Sequence, residues 1–125
     1  MRIQHRGFTL IELIVVMTII SLLLTLAAPR YFRSIERSKE TVLKANLTAT
    51  RDALDKFRAD TGRYPEQLSE LVSKHYLRTL PWDPIADSAE AWVIVPPADG
   101  QGGGVYNITS GAEGAGASGV PYAQW

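Results

Sequence analysis

The chain has 125 residues, which is room for one small domain and no second hydrophobic core. Its 13 basic and 13 acidic side chains cancel, so it is not built to coat nucleic acid or to concentrate an acidic substrate. Cysteine is absent, which excludes disulfide scaffolds, thiolate metal sites and thiol nucleophiles. With His5 and His75 as the two histidines, a histidine-based metal or acid–base centre is not expected.

An apolar run over residues 8–28 holds one charged side chain, that of Glu12. As an α-helix this run is about 32 Å long, which matches the hydrocarbon core of a bilayer. Three interpretations compete. A secretory signal would have a shorter apolar run and an A-x-A site, and a plain membrane anchor leaves Glu12 unexplained. The core helix of a soluble protein would need more surrounding chain than follows here.

Glu12 calls for a cation at the same depth, because an ionisable side chain near the bilayer centre costs about 2.5–3.5 kcal/mol. Cleavage after Gly7 would give Phe8 a free α-amino group, charged at neutral pH, four residues before Glu12. At about 4 Å and an effective dielectric constant near 20, the attraction is about 4 kcal/mol before desolvation is subtracted. The pair could form within one chain or between subunits; the alternative is that Glu12 reaches the lipid headgroups.

The segment Arg6-Gly7-Phe8-Thr9-Leu10-Ile11-Glu12 closely resembles the class III signal of type IV pilins and type II secretion pseudopilins. The resemblance implies that a membrane enzyme, the prepilin peptidase, cuts between Gly7 and Phe8. It further implies that the same enzyme N-methylates the new terminal residue, Phe8. Glu12 matches the acidic residue that this family needs for assembly.

The resemblance also implies three parts: a leader peptide over residues 1–7, a transmembrane and assembly helix over 8–29, and a soluble domain over 30–125. Pro29 falls where these proteins often carry a proline, and it joins the expected assembly residues; its ring would kink or end the helix after Ala28. The family has a single pass through the bacterial inner membrane, with a cytoplasmic N-terminus and a periplasmic soluble domain. A count of Arg and Lys favours the opposite orientation, but the processing signal is recognised from the cytoplasmic face.

Residues 31–60 are rich in helix-forming types and lack Gly and Pro, which predicts a helix. Gly62 and Pro65 end it and open a short second helix over 66–76, where His75 is interpreted as a surface residue. The first of these helices has an apolar stripe made of Leu43, Leu47, Leu54 and Phe57, and a solvated face made of Arg51, Asp52, Asp55, Lys56 and Arg58.

Residues 91–95 and 105–109 are rich in β-branched and aromatic types and predict two strands, and 120–125 is a candidate last strand. The small antiparallel sheet should lay one face on the apolar stripe of the first helix. The expected fold class is α+β: a long N-terminal α-helix with a membrane-spanning first half, and a short second helix and small sheet packed on its C-terminal half.

A second match favours secretion pseudopilins of the major, G-type kind, which have a Gly-x-Tyr-Pro turn, a short helix and a Leu-Pro-x-Asp-Pro segment. It implies a structural subunit of the type II secretion pseudopilus. The implied partners are other copies in a filament, the prepilin peptidase, the inner-membrane assembly platform, minor pseudopilins and membrane lipid, with no nucleic acid expected. The matching residues are Gly62, Tyr64, Pro65, Leu80, Pro81, Asp83 and Pro84.

Two other functions stay open. A type IV pilin subunit of a motility, adhesion or DNA-uptake fibre shares the same signal, although the paired cysteines common in pilins are missing. A binding or signalling domain on a plain anchor would keep its N-terminus unprocessed. An enzyme is not expected, and no catalytic residue is assigned, because G-x-S-x-G, H-E-x-x-H and Walker A motifs are absent from the sequence.

Major pseudopilins often bind calcium in the loop before the last strand, and this is the one cofactor that the resemblance implies. Glu113 matches the first acidic position of that loop, and backbone carbonyls near Ser110 are the other expected ligands. Because residues 115–124 contain no Asp or Glu, such a site would be weak.

Charge is divided along the soluble part of the chain. Residues 30–80 carry 11 basic and seven acidic side chains, whereas residues 81–125 carry five acidic side chains and no basic one. We expect this polarity to help subunits stack in register, in contacts that salt would screen.

Overall fold

The computed structural model describes residues 2–125. Helix α1 spans Leu10–Thr61 and helix α2 spans Leu68–Ser73. Strands β1 (Trp92–Val95) and β2 (Asn107–Ser110) pair antiparallel, and a 3-10 helix lies at Tyr122–Gln124. The predicted α+β class, with one long helix, one short helix and a small antiparallel sheet, is confirmed.

The chain divides into two compact units, of which the first ends at Glu36. In this unit the large apolar side chains from Leu10 to Leu26 are between 45 and 76% exposed. Within residues 2–125, α1 is the one helix long and apolar enough to cross a membrane. The interpretation of this segment as the core helix of a soluble protein is wrong, because such a helix would be buried.

Helix α1 runs through Pro29 without interruption, so an end of the helix after Ala28 is excluded. Proline has no N–H, and the carbonyl of Thr25, four residues earlier, therefore loses its usual helical partner. The helix continues because the residues on either side are good helix formers. It ends at Thr61, where Gly62 adopts a φ of 78° and donates its N–H to the carbonyl of Arg58 at 2.9 Å, as a C-terminal cap does.

The second unit, Arg37–Trp125, contains the hydrophobic core of the chain. The apolar stripe predicted on α1 is buried in it and is confirmed as the helical wall of the core. Trp92 of β1, Ile108 of β2 and Leu71 of α2 pack in the same cluster. The sheet and the second helix thus lie on the C-terminal half of α1, as predicted.

Helix α2 is shorter than the predicted range of 66–76. It begins late because Gln67 has extended backbone angles, φ −138° and ψ 155°. It ends early because His75 adopts a left-handed φ of 64°, and the N–H of Tyr76 donates to the carbonyl of Leu71 at 2.8 Å. This six-to-one bond around a left-handed residue is the pattern of a Schellman cap. The exposed His75 therefore closes a helix.

The sheet has two strands, with Trp92 opposite Ser110 and Val95 opposite Asn107. Each strand lies within a residue or two of its predicted range. The side chains of Trp92 and Ser110, which face each other across the pair, are buried. One face of the sheet therefore contributes to the core.

The predicted last strand over 120–125 is wrong. In its place Pro121 forms an isolated bridge with Ala115, and the chain then enters the 3-10 helix. Pro121 has no N–H to donate to a strand ladder. The N–H of Gly116 donates to the carbonyl of Val120 at 2.9 Å, which closes a tight turn just before this point.

Candidate functional site

The predicted cleavage site lies in an exposed segment before α1. Residues 2–9 are assigned to neither helix nor strand, and the side chain of Phe8 is 88% exposed. A Cβ added to Gly7 would meet no heavy atom within 4 Å. The peptide bond between Gly7 and Phe8 is therefore open to a protease. Any requirement for glycine at this position comes from the protease and not from packing within this chain.

Thr9 caps the N-terminus of α1. Its hydroxyl oxygen accepts a hydrogen bond from the N–H of Glu12 at 3.2 Å, and its carbonyl accepts one from the N–H of Leu13 at 3.2 Å. A threonine followed three residues later by a glutamate is the sequence pattern of a capping box. Glu12 lies in the first turn of the helix, where the helix dipole favours a negative charge. Thr9 is a site residue that the predictions omit, although this pattern signals it.

Three hydroxyl groups in the apolar part of α1 are satisfied within the helix. Thr18, Ser21 and Thr25 each donate to the backbone carbonyl four residues earlier, at 2.8 Å. A hydroxyl without a partner is costly in hydrocarbon, and these bonds remove that cost. These bonds account for three of the four polar side chains of residues 10–28. The fourth, Glu12, needs another explanation for a place in lipid.

The predicted pair of Glu12 with an amine at Phe8 requires processing. In the uncut chain the nitrogen of Phe8 belongs to an amide and carries no charge. The side chain of Glu12 is exposed, so it is open to an amine of its own chain or of a neighbouring copy. The pairing, and the role of Pro29 in assembly, stay predictions.

Asp83, from the Leu-Pro-x-Asp-Pro segment, is a buried anchor for the end of β2. Its carboxylate accepts hydrogen bonds from the hydroxyl of Ser110 at 2.5 Å and from the N–H groups of Ile85 and Ala86 at 2.9 Å each. The Ser110 oxygen also accepts the N–H of Ala112 at 3.1 Å. This network fixes the point at which the chain leaves the sheet.

The residues expected to hold calcium do not fit that ion. Calcium takes six to eight oxygen ligands, usually with several carboxylates. Glu113 is exposed, and residues 2–125 contain no group of three His, Asp or Glu side chains close enough to hold a metal.

Two arginines of the predicted solvated face are half-buried and cross-link the fold. Arg51 donates from Nε to Asn107 Oδ1 at 2.9 Å, and from Nη2 to the carbonyls of Ile108 at 3.1 Å and Trp125 at 2.7 Å. Arg58 donates to a carbonyl in the loop before β2 at 2.9 Å. The prediction of a solvated face is wrong for these two residues and correct for the exposed Asp52, Asp55 and Lys56.

An ion pair fixes the turn between the two helices. Arg63 Nη2 and Glu70 Oε1 lie 2.6 Å apart, and Glu70 Oε2 accepts the N–H of Glu66 at 2.8 Å. The hydrogen bond from Arg63, followed by that from Glu66, holds the pKa of the Glu70 carboxyl below its usual range. The Gly-x-Tyr-Pro turn is therefore locked through its second residue.

The anchoring roles of Asp83 and Arg51 have no local sequence signal. Asp83 meets Ser110 across 27 residues of chain, and the partners of Arg51 lie 56 to 74 residues away. By contrast Gly7 and Phe8 lie just before α1 and Glu12 lies in its first turn, so a short-range motif is enough to group them.

The matches of this chain to known proteins agree with one another on its family. The family described as "Prokaryotic N-terminal methylation motif" matches residues 2–28. The type II secretion system core protein G of Klebsiella michiganensis is 30% identical over 129 residues, covering 90% of this chain and 87% of that relative. Its namesake in Escherichia coli (strain K12) is 32% identical over 114 residues, covering 90% and 77%. The type IV major pilin protein PilA of Myxococcus xanthus is 38% identical over 68 residues, covering 54% and 31%.

No solved structure matches the chain at a significant level. The methylation motif coincides with the predicted cleavage segment and the apolar part of α1, and the two core protein G relatives extend the match across the second unit. The resemblance found in the sequence is confirmed along most of its length: the chain belongs to the type II secretion system core protein G family of pseudopilins.

Proposed function

We propose that this chain is the structural subunit of the type II secretion pseudopilus, a short helical filament based in the inner membrane that drives protein export. The observation that carries the proposal is an exposed apolar helix directly after a Gly-Phe-Thr-Leu-x-Glu signal. Such a surface must be covered, first by lipid in storage and then by the same helices of other subunits in the filament. The names of the core protein G relatives support this role.

Processing comes first in this proposal. The prepilin peptidase cuts between Gly7 and Phe8, removes residues 1–7 and N-methylates Phe8. The exposure of Phe8 and the absence of helix and strand over residues 2–9 support cleavage here. Residues 8–29 then serve as the transmembrane and assembly helix, and residues 30–125 as the soluble domain.

The processed subunit waits in the inner membrane as a single-pass protein. Its N-terminus is cytoplasmic, since the processing signal is read from that side, and its soluble domain is periplasmic. The length and exposure of the apolar part of α1 support membrane anchoring. The hydrogen bonds from Thr18, Ser21 and Thr25 within the helix support residence in hydrocarbon.

Assembly then pairs the Glu12 carboxylate with the ammonium of a processed Phe8. N-methylation leaves that amine basic, so it stays charged at neutral pH. When two opposite charges pair in lipid, their attraction offsets the desolvation free energy that each would cost alone. Pairing between neighbouring copies would fix the axial register of the filament, with Pro29 marking the end of the membrane part.

The partners follow from this sequence of events. They are the prepilin peptidase, the inner-membrane assembly platform, minor pseudopilins that start or cap the filament, and other copies of this chain. The subunit acts as a structural part and performs no chemistry of its own. Its anchoring network serves the fold: Asp83 holds the buried hydroxyl of Ser110 at the end of β2, and Arg51 binds Asn107 and two backbone carbonyls.

Replacing Glu12 with Ala tests the proposal. The variant should be cleaved and retained in the membrane, yet its filament yield should fall at least about tenfold, the factor that about 1.4 kcal/mol of lost contact produces. Glu36→Ala is the matched control, since Glu36 is an exposed glutamate of the same helix beyond the apolar part. Normal filaments from Glu12→Ala would contradict the pairing.

Mass spectrometry of the N-terminus tests the processing step separately. The protein from secreting cells should begin at methylated Phe8, and Gly7→Val should accumulate in the membrane with residues 1–7 attached. An unprocessed N-terminus in a working system would support the plain-anchor alternative and would remove the proposed function.

A type IV pilin subunit is the second candidate, favoured by the match to PilA. That match spans 54% of this chain but 31% of PilA, so it concerns a minor part of the pilin. Deletion of the gene separates the two functions. Loss of secreted proteins with surface fibres intact indicates the pseudopilus, whereas loss of fibres with secretion intact indicates the pilus.

A further inference from the structure

The loop over residues 111–121, called here the C-terminal loop, connects β2 to the 3-10 helix. Its one carboxylate, that of Glu113, is exposed and has no second acidic residue beside it in the loop. Seven of its 11 residues are Gly, or are Ala next to Gly, so it has little side-chain packing of its own. Backbone hydrogen bonds close the loop on itself, such as that from the N–H of Gly116 to the carbonyl of Val120, but its attachment to the rest of the fold needs contacts from outside it.

Glu40 of α1 supplies that contact. Its Oε1 atom accepts a hydrogen bond from the backbone N–H of Ala117 at 3.0 Å and another from the hydroxyl of Tyr122 at 3.0 Å. Glu40 is half-buried, so these charge-assisted bonds are partly shielded from water. One carboxylate thus binds both the middle of the loop and the residue that follows it.

The polarity of this contact is opposite to that of a calcium site. A calcium loop turns carbonyl and carboxylate oxygens toward a cation. Here the loop turns an N–H and an O–H toward an anion on the helix, at Ala117 and Tyr122. A cation placed between them would face hydrogen-bond donors instead of acceptors.

The surrounding contacts build the same attachment. Tyr122 is buried, and its ring packs edge-on against Trp125 with 5.0 Å between centroids. Lys44, one turn after Glu40, lies with Nζ 4.6 Å from the centroid of the Trp125 ring. The N–H of Tyr122 donates to the carbonyl of Gly114 at 3.1 Å. Helix α1 therefore contacts the loop and the residues that follow it through the anion of Glu40 and, one turn later, the cation of Lys44.

We propose that Glu40 anchors the C-terminal loop to α1 and that this chain holds the loop in place without the calcium ion that the resemblance to major pseudopilins implies there. The proposal concerns the folded subunit and does not depend on filament assembly.

The test uses the full chain in detergent micelles, with either millimolar calcium chloride or EGTA. Calcium should shift the midpoint of thermal unfolding by less than about 1 °C, because a bound ligand would raise it in proportion to the logarithm of its concentration. In Glu40→Ala, hydrogen exchange at the backbone of the C-terminal loop should be at least about tenfold faster than in the unmodified chain. Tyr122→Phe, which removes one of the two donors, should give a smaller increase.

Glu113→Ala is the matched control, since it removes the carboxylate of the loop itself and should leave both measurements unchanged. Loop exchange in Glu40→Ala equal to that of the unmodified chain would overturn the anchor. A calcium-dependent rise of the unfolding midpoint that Glu113→Ala abolishes would overturn the metal-free loop. If Glu40→Ala does not fold, Tyr122→Phe decides the matter, and unchanged loop exchange in that variant overturns the anchor.

Discussion

Single residues far apart in the chain hold the second unit together, and Asp83 shows how. Its buried carboxylate has three hydrogen-bond donors, from Ile85, Ala86 and Ser110. Two of them are backbone N–H groups two and three residues later, as in an Asx turn. The third closes a distance of 27 residues and sets where β2 ends. A buried charge is tolerated here because its lone pairs are engaged.

Replacing Ser110 with Ala should lower the free energy of unfolding by about 1–3 kcal/mol, since it leaves the Asp83 oxygen without its hydroxyl donor and the N–H of Ala112 without its acceptor. Chemical denaturation of the full chain in detergent measures the loss. Ser118→Ala is the control, because Ser118 is exposed. Equal stabilities for the two variants would show that the Asp83 network is not an anchor.

The Arg63–Glu70 pair predicts how the free energy of unfolding falls as the pH is lowered. Because the folded-state pKa of Glu70 is lowered, chiefly by the hydrogen bond from Arg63, the pair stabilises the fold fully above the ordinary Glu pKa of about 4.3. That contribution is lost as the pH falls through the lowered pKa. Glu70→Gln should therefore flatten the loss of stability below about pH 4.3, whereas the exposed control Glu90→Gln should not. Thermal melts at a series of pH values measure this. If the unfolding midpoints of Glu70→Gln and of the unmodified chain fall equally as the pH is lowered, this role is contradicted.

For single residues, a motif of neighbouring residues could be predicted from the sequence, whereas contacts between residues far apart in the chain could not. The predicted cleavage and assembly residues form a short-range pattern, and the family match confirms the motif that contains them. Arg51 looked like a surface residue because its neighbours along the helix are charged. Its actual partners come from β2 and Trp125, which a helical periodicity cannot place.

Among the elements, the long connection between the strands is held by close backbone contact. Gly103 has a φ of 88°, and a Cβ there would lie 2.1 Å from the carbonyl oxygen of Tyr64. The adjoining N–H groups of Gly104 and Val105 both donate to the carbonyl of Pro65 at 2.9 Å. The loop therefore packs directly on the turn between α1 and α2.

Gly103→Ala should be more destabilising than Gly100→Ala by at least about 1 kcal/mol. Gly100 is a matched control because its φ is 84°, but a Cβ there meets nothing within 4 Å. Both variants carry the strain of a left-handed alanine, so the difference measures the clash alone. Urea unfolding midpoints that agree for the two variants would show that the loop can move away from Tyr64.

Whether a segment forms a helix or a strand could be predicted from its composition. The residue at which the helix or strand ends depends instead on single backbone groups. The stripe on α1 was predictable because its spacing repeats over four turns. The helix α2 fell short of its prediction at both ends, since Gln67 is extended and His75 is left-handed. The predicted last strand does not form, because Pro121 has no N–H to donate to a strand ladder, although the residues around it are of β-forming types.

For the molecule as a whole, the division of charge bears on assembly. Residues 30–80 are net basic, and residues 81–125 carry acidic side chains alone. If soluble domains of neighbouring subunits meet with these parts opposed, salt should weaken the contact, because the screening length falls from about 8 Å at physiological ionic strength to about 3 Å at 1 M. Filament yield in membranes should therefore fall as sodium chloride is raised over this range.

A variant in which the exposed Asp87, Glu90 and Asp99 are all replaced by the corresponding amides should yield fewer filaments at low salt and depend less on salt. Measuring yield by sedimentation and electron microscopy separates this effect from processing, which N-terminal mass spectrometry monitors. A yield that does not change with ionic strength in the unmodified chain would exclude a role for this charge division.

The setting of Trp125 makes the state of the C-terminal loop visible to spectroscopy. The chain has three tryptophans in unlike surroundings: Trp82 is about half exposed, Trp92 is buried, and Trp125 lies beside the Lys44 ammonium. Incorporation of fluorotryptophan would give each its own ¹⁹F resonance. The line from Trp125 would then follow attachment and release of the loop in detergent, in lipid and in polymerised material, without any change to the backbone or to the export machinery.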